Sequence, residues 1–157
     1  MMKQLIIDRS KWRTGGDIDE KEHQTGEGET RLLNAQGYMC CLGFYLKDVA
    51  KLNKMILIEQ ATPKWFIGLK EIYDNNDDVR LLVTKLNDEY YVNSDFCQLA
   101  MHINDNVNLP SDEREEQLKT IFLEKGVEVS FINEYHKPNN KETNEKENSV
   151  RPNIQLA

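Results

Sequence analysis

No apolar run in this 157-residue chain approaches the roughly 20 residues that a membrane-spanning helix needs. The opening residues 1–8 hold too short a hydrophobic run, and no small-residue cleavage site, for a secretory signal; a cytoplasmic protein with no membrane contact is expected. Basic residues are outnumbered, 20 Lys and Arg against 27 Asp and Glu, for a net charge of -7. Without a basic stripe, direct binding to nucleic acid through its phosphates is not expected. Three cysteines are too few for a disulfide framework, and reduced thiols are the expectation in a reducing compartment. There is no C-x-x-C pair, no G-x-x-x-x-G-K and no G-x-G-x-x-G, so neither a metal nor a cofactor is expected. The acid excess is also modest for a mimic of nucleic-acid phosphates. The acidic clusters at 74–78 and 112–116 read as a turn and a helix N-terminus.

What is present is the pattern of one small α+β domain over residues 1–135: a short mixed or antiparallel sheet packed against three to four helices. Leu5, Ile6 and Ile7 predict a strand over 3–8, followed by Trp12 as a core aromatic. Residues 14–30 hold four of the eight glycines and six acids against Lys21 alone, and predict a long flexible loop. Leu42, Tyr45, Leu46, Val49 and Leu52 recur at helical steps. Residues 55–58 suit a strand or a continuing helix, and Thr62-Pro63 predicts a helix start. Asn87-Asp88 between residues 80–86 and 90–92 predicts a hairpin. Asn93-Ser94 predicts the cap of a helix with Phe96, Leu99, Ala100 and Ile103 on one face. Ser111 is predicted to cap a second helix, with acids in its first turn and Lys125-Gly126 at its end. Val127, Val129 and Phe131 alternate with polar residues as in a half-buried strand. Residues 136–157 carry four basic and three acidic side chains and two prolines, the composition of a disordered polar tail.

The segment Gly37-Tyr38-Met39-Cys40-Cys41-Leu42-Gly43-Phe44 places two of the three cysteines at the start of a helix. A helix N-terminus lowers a thiol pKa, so Cys40 or Cys41 is a candidate nucleophile with His102 as base; His23 and His136 fall in the loop and the tail. Cysteine is also among the residues most often buried as a small hydrophobe, which is the plainer reading. A zinc site would need Cys40, Cys41, Cys97 and His102 to converge from separate elements, and is not expected.

The blocks Ile7-Asp8-Arg9-Ser10-Lys11-Trp12, Leu32-Leu33, Gly37 to Phe44, Ile103-Asn104-Asp105, Arg114-Glu115 and Gly126-Val127-Glu128-Val129 together resemble a family of small bacteriophage and prophage proteins. The similarity is scattered over residues 5–132, and Met-Cys-Cys-Leu-Gly is its most specific part. Tyr38 departs from the pattern, which has lysine or a similar polar residue there. No activity attaches to the family, so no site residue carries over. The resemblance implies an accessory factor that binds and inhibits a host bacterial protein, such as an antiviral defence system, by stoichiometric contact. The 14–30 loop and the surroundings of Trp12 and Trp65 are its expected contact surfaces. Two alternatives stand beside it: the thiol-dependent enzyme, and a sponge for a small signalling nucleotide in which Arg9, Trp12, Arg13 and Arg31 line a pocket.

Overall fold

The computed structural model describes residues 2–15 and 30–135. Most of the expected 14–30 loop, the 136–157 tail, His23 and His136 therefore lie outside the described residues.

Strand β1 (Lys3–Asp8) buries Leu5 and Ile7 and exposes Gln4 and Ile6, the two-residue period expected of it. It pairs in parallel with β4 (Val127–Ile132), Leu5 opposite Val129 and Ile7 opposite Phe131. The first and last strands of the described chain thus lie side by side. The hairpin is a separate ladder: β2 (Val83–Asn87) runs antiparallel to β3 (Tyr90–Asn93), with a register shift between Lys85 and Asn87. The fold is α+β, with its strands in one parallel and one antiparallel pair.

Helix α1 (Cys41–Phe44) continues into a π-helical turn, Tyr45–Val49, so the expected helix after Leu42 is short and ends at Ala50. Residues 55–58 are helical rather than extended in the main: α2 (Lys54–Leu57) is capped by the Asn53 side chain, which accepts from the Met55 amide at 2.9 Å. Ile58 alone forms a bridge, to Leu33. Thr62-Pro63 opens only a 3₁₀ turn, Pro63–Trp65, and α3 (Leu69–Asn75) starts after Gly68. A 3₁₀ turn, Val79–Leu81, takes the front of the segment expected to be strand. Helix α4 (Asp95–Asp105) is capped by Ser94, whose hydroxyl accepts from the Cys97 amide at 3.0 Å. Helix α5 (Ser111–Leu123) has Pro110 rather than Ser111 at its cap position, with Asp112 and Glu113 in the first turn.

The core forms where α4 and α5 meet β1, β4 and α1. Phe122 of α5 stands edge-on to Phe96 of α4, with ring centroids 5.0 Å apart, and its ring lies 6.0 Å from that of Tyr45. Leu5, Ile7, Leu42, Leu46 and Leu118 close around them.

Gly43 explains part of the Cys-Cys-Leu-Gly segment. An added Cβ there would stand 1.8 Å from the carbonyl oxygen of Leu32, so α1 and the 31–33 segment approach as closely as glycine allows. That segment is itself fixed, with the Leu32 amide donating to Gln60 O and the Cys40 amide to Arg31 O. Gly43→Ala is expected to cost about 3 kcal/mol in urea unfolding, because backbone must move. Gly37→Ala is expected to cost about 1 kcal/mol, since Gly37 has φ +90° but open space around it.

Candidate functional site

The polar centre of the molecule is the last turn of α4. Asn104 falls on the buried face of that helix, at helical spacing from Cys97 and Ala100. Its side-chain oxygen accepts from the Trp12 indole at 2.8 Å and from the Cys41 amide at 3.0 Å. Its amide nitrogen donates to Arg13 O at 3.0 Å and to Asp105 Oδ1 at 2.8 Å. Asp105 carries the network outward, accepting from the Thr30 hydroxyl at 2.5 Å and from the amides of Gly15 and Thr30 at 3.3 Å each.

Arg114 of α5 is fully buried and holds the same corner from the other side. Its guanidinium donates to the carbonyls of Ile103 at 3.2 Å, Asn106 at 2.5 Å and Leu109 at 2.9 Å, taking up acceptors at the C-terminal end of α4. Next to it, Glu115 receives two bonds from Arg9, at 2.8 and 2.6 Å, and one from the Tyr135 hydroxyl. Arg9 also lies over the rings of Phe131 and Tyr135. Burial alone would push the Glu115 carboxyl up, but the bonds from Arg9 and Tyr135 and the Arg9 charge hold it below its usual value. Asp8 closes the group, accepting from the Ser10 amide and hydroxyl and from Asn133. The separate sequence blocks around Trp12, Cys41, Asn104 and Arg114-Glu115 thus meet in one network.

The cysteines sit inside this frame. All three are buried, Cys40 as the cap residue of α1 and Cys41 in its first turn. Burial, the largest influence, pushes Cys40 and Cys97 up to about 12 and Cys41 well above its ordinary range. The short α1 does not offset that cost. Cys41 Sγ donates to Ala100 O at 3.8 Å, and Cys97 Sγ lies 3.8 Å from Met101 Sδ. Neither contact involves His102, which is exposed on α4 and hydrogen-bonds neither Cys40 nor Cys41. Among the described residues, no group of three His, Cys, Asp or Glu side chains is placed to hold a metal.

The expected binding residues separate into two kinds. Trp12 is fully buried, its ring 5.1 Å from that of Phe131, so the expectation that it offers a contact surface is corrected: the indole is core. Arg13 is also buried, its guanidinium 3.5 Å from the Tyr38 ring centroid and donating to Trp12 O. Arg31 is part-exposed beside Glu59, its Nε 3.7 Å from a carboxylate oxygen. Among the described residues, Arg9 meets Glu115, Arg13 meets Tyr38 and Arg31 meets Glu59. Trp65 is the exception, 64% exposed on its 3₁₀ turn with Lys64 Nζ 4.9 Å above the ring. Ile67, which sequence reading passed over, is 91% exposed beside it.

No helix among the described residues is long and apolar enough to cross a membrane. No family model, curated protein or solved structure matches the chain.

Raising a thiol from 9.0 to about 12 lowers its thiolate fraction at neutral pH roughly a thousandfold. Native protein treated with iodoacetamide at pH 7 is therefore expected to label far more slowly than free cysteine, and to gain three labels only in denaturant. Rapid labelling of one native thiol would restore the nucleophile reading.

Asp105 gives a pH signature. Burial raises its pKa, and the bonds from Thr30, Asn104 and Gly15 offset this only in part, so the folded value stays above 3.8. Its protonated form therefore favours the fold: the contribution is full below 3.8 and is lost as pH rises through the folded value. Relative to wild type, Asp105→Asn is expected to gain stability progressively as pH rises from 3.8 through the raised folded value. Parallel stability curves for the two proteins would exclude that role.

Proposed function

We propose that this is a phage-encoded accessory protein that acts without catalysis, by binding and inhibiting a bacterial host protein such as a component of an antiviral defence system. The observation that carries the reading is the display of Trp65 and Ile67. Both are strongly exposed, while Phe66 and Leu69 between and after them are buried pegs that fix the turn to the body. A large aromatic held rigidly in solvent is the residue type that most often dominates protein interfaces. Lys64 and Lys70 flank the pair with exposed cations in a chain whose net charge is -7. The phage context rests on the resemblance in the Met-Cys-Cys-Leu-Gly and neighbouring blocks. The burial of all three thiols adds support, since it leaves the candidate nucleophiles without access to a substrate.

Immobilised protein incubated with bacterial lysate is expected to retain a host protein at near-stoichiometric amount. Trp65→Ser with Ile67→Ser is expected to weaken that capture by a factor of about 30 or more, the usual scale for losing an aromatic anchor. Both side chains are exposed, so the double variant should melt as the wild type does. Capture of nothing, or equal capture by the folded double variant, would overturn the proposal.

A further inference from the structure

The three most exposed large apolar side chains among the described residues belong to one short stretch: Ile67 at 91%, Met55 at 77% and Trp65 at 64%. The backbone that carries them is firmly held. Leu57, Phe66 and Leu69, from the same stretch, are buried in the core. The Leu32 amide donates to Gln60 O, the Glu59 amide to Leu33 O and the Lys64 amide to Asn93 Oδ1. Large apolar groups held outward by a fixed backbone mark a contact surface.

The charge of this stretch is opposite to that of the chain. From residue 51 to residue 70 the lysines are Lys51, Lys54, Lys64 and Lys70, and the one acid is Glu59, within a chain of net charge -7. Glu59 already lies beside Arg31. Lys3, Lys47, Lys85 and Lys119 each meet a carboxylate of their own chain. The lysines of the 51–70 stretch are exposed, and among the described residues none of them forms an ion pair. Cations left unpaired in an acid-rich chain, beside its most exposed apolar groups, give this region a positive potential of its own.

Resting on the reading that the Trp65 turn captures a host protein, we propose that the surface it captures is acidic: an apolar cleft whose rim carries Asp or Glu carboxylates. The unpaired lysines supply the complementary charge, which sets approach and orientation. Trp65, Ile67 and Met55 supply the apolar area that the contact buries. An anionic bilayer would share the attraction for lysine. It separates apolar groups from cations by depth, however, with ammonium heads drawn back to the headgroups. Lys64 Nζ instead stands 4.9 Å from the centre of the Trp65 ring, so ring and cation enter one environment together. A protein cleft can set a carboxylate beside an apolar wall, and a hydrocarbon layer cannot.

The test passes one bacterial lysate over the immobilised full chain and its variants and measures the host protein retained. Lys64→Glu with Lys70→Glu, and Lys51→Glu with Lys54→Glu, are each expected to weaken capture at least about tenfold. Lys11→Glu with Lys125→Glu changes the net charge equally, at exposed positions outside the stretch, and is expected to leave capture as it was. Wild-type capture is also expected to fall as sodium chloride rises from about 0.05 to about 0.5 M. Circular dichroism and melting confirm that each variant is folded. Capture that is lost with Trp65→Ser and Ile67→Ser, yet unaltered in both lysine pairs of the stretch, overturns the acidic surface and leaves the Trp65 reading standing. So does equal weakening in all three lysine pairs, which marks net charge and not this stretch. Capture of nothing, with wild type sedimenting on phosphatidylglycerol vesicles, overturns both in favour of a lipid surface.

Discussion

The carboxamide of Asn104 has to satisfy polar groups from three segments that are remote in sequence. Its oxygen serves the Trp12 indole and the Cys41 amide, and its nitrogen serves the Arg13 carbonyl and the Asp105 carboxylate. Trp12, Cys41 and Asn104 are all buried, where a donor or acceptor without a partner costs about 1–3 kcal/mol. The constraint is therefore geometric as well as energetic. The chain leaving β1, the start of α1 and the last turn of α4 must reach one point together, or several penalties fall due at once. Asp105 extends the requirement to Gly15 and Thr30, and Arg114 fixes the α4 end from α5.

The paired cysteines take their character from that junction. Each residue of Met39-Cys40-Cys41-Leu42-Gly43 has a structural duty. Met39 bridges to Trp12, and the Cys40 amide reaches Arg31 O. The Cys41 amide reaches Asn104, Leu42 fills the core, and Gly43 admits the Leu32 backbone. The thiols are buried in that seam, and burial holds them protonated. A run that reads as a reactive site is thus the seam where four stretches of backbone close on each other. Its distinctiveness comes from crowding rather than from chemistry.

Much of the frame could be read from residue order. The alternation in residues 3–8 and 127–131, the Ser94 cap, the 87–88 turn and the acidic start of α5 each announce an element through local physics, and each element is there. The errors fall where tertiary contacts override local preference. Residues 55–58 suited strand or helix alike, and the Asn53 cap decides most of them as helix. Thr62-Pro63 starts only one turn, because Phe66 is drawn into the core and Gly68, at φ 71°, redirects the chain. The parallel pairing of β1 with β4 has no local signature, since it joins segments more than 120 residues apart. At the site, Asn104 carried a readable signal: an asparagine at helical spacing from Cys97 and Ala100 must bury its amide and find partners for it. Its partners were not readable, because a side-chain amide accepts equally from an indole or a backbone. Trp12 and Trp65 looked alike in sequence and differ completely in space; what separates them is that the indole of Trp12 meets an acceptor inside.

The interior network also shapes the surface that remains for function. Arg9, Arg13 and Arg114 point their charge into the body, where Glu115, Tyr38 and backbone carbonyls absorb it. Among the described residues, exposed cations are supplied mainly by lysines, with Arg80 beside them, and acids dominate the total, with a net charge of -7. A chain of that charge repels its own copies at long range, which lets it display Trp65 and Ile67 without indiscriminate association.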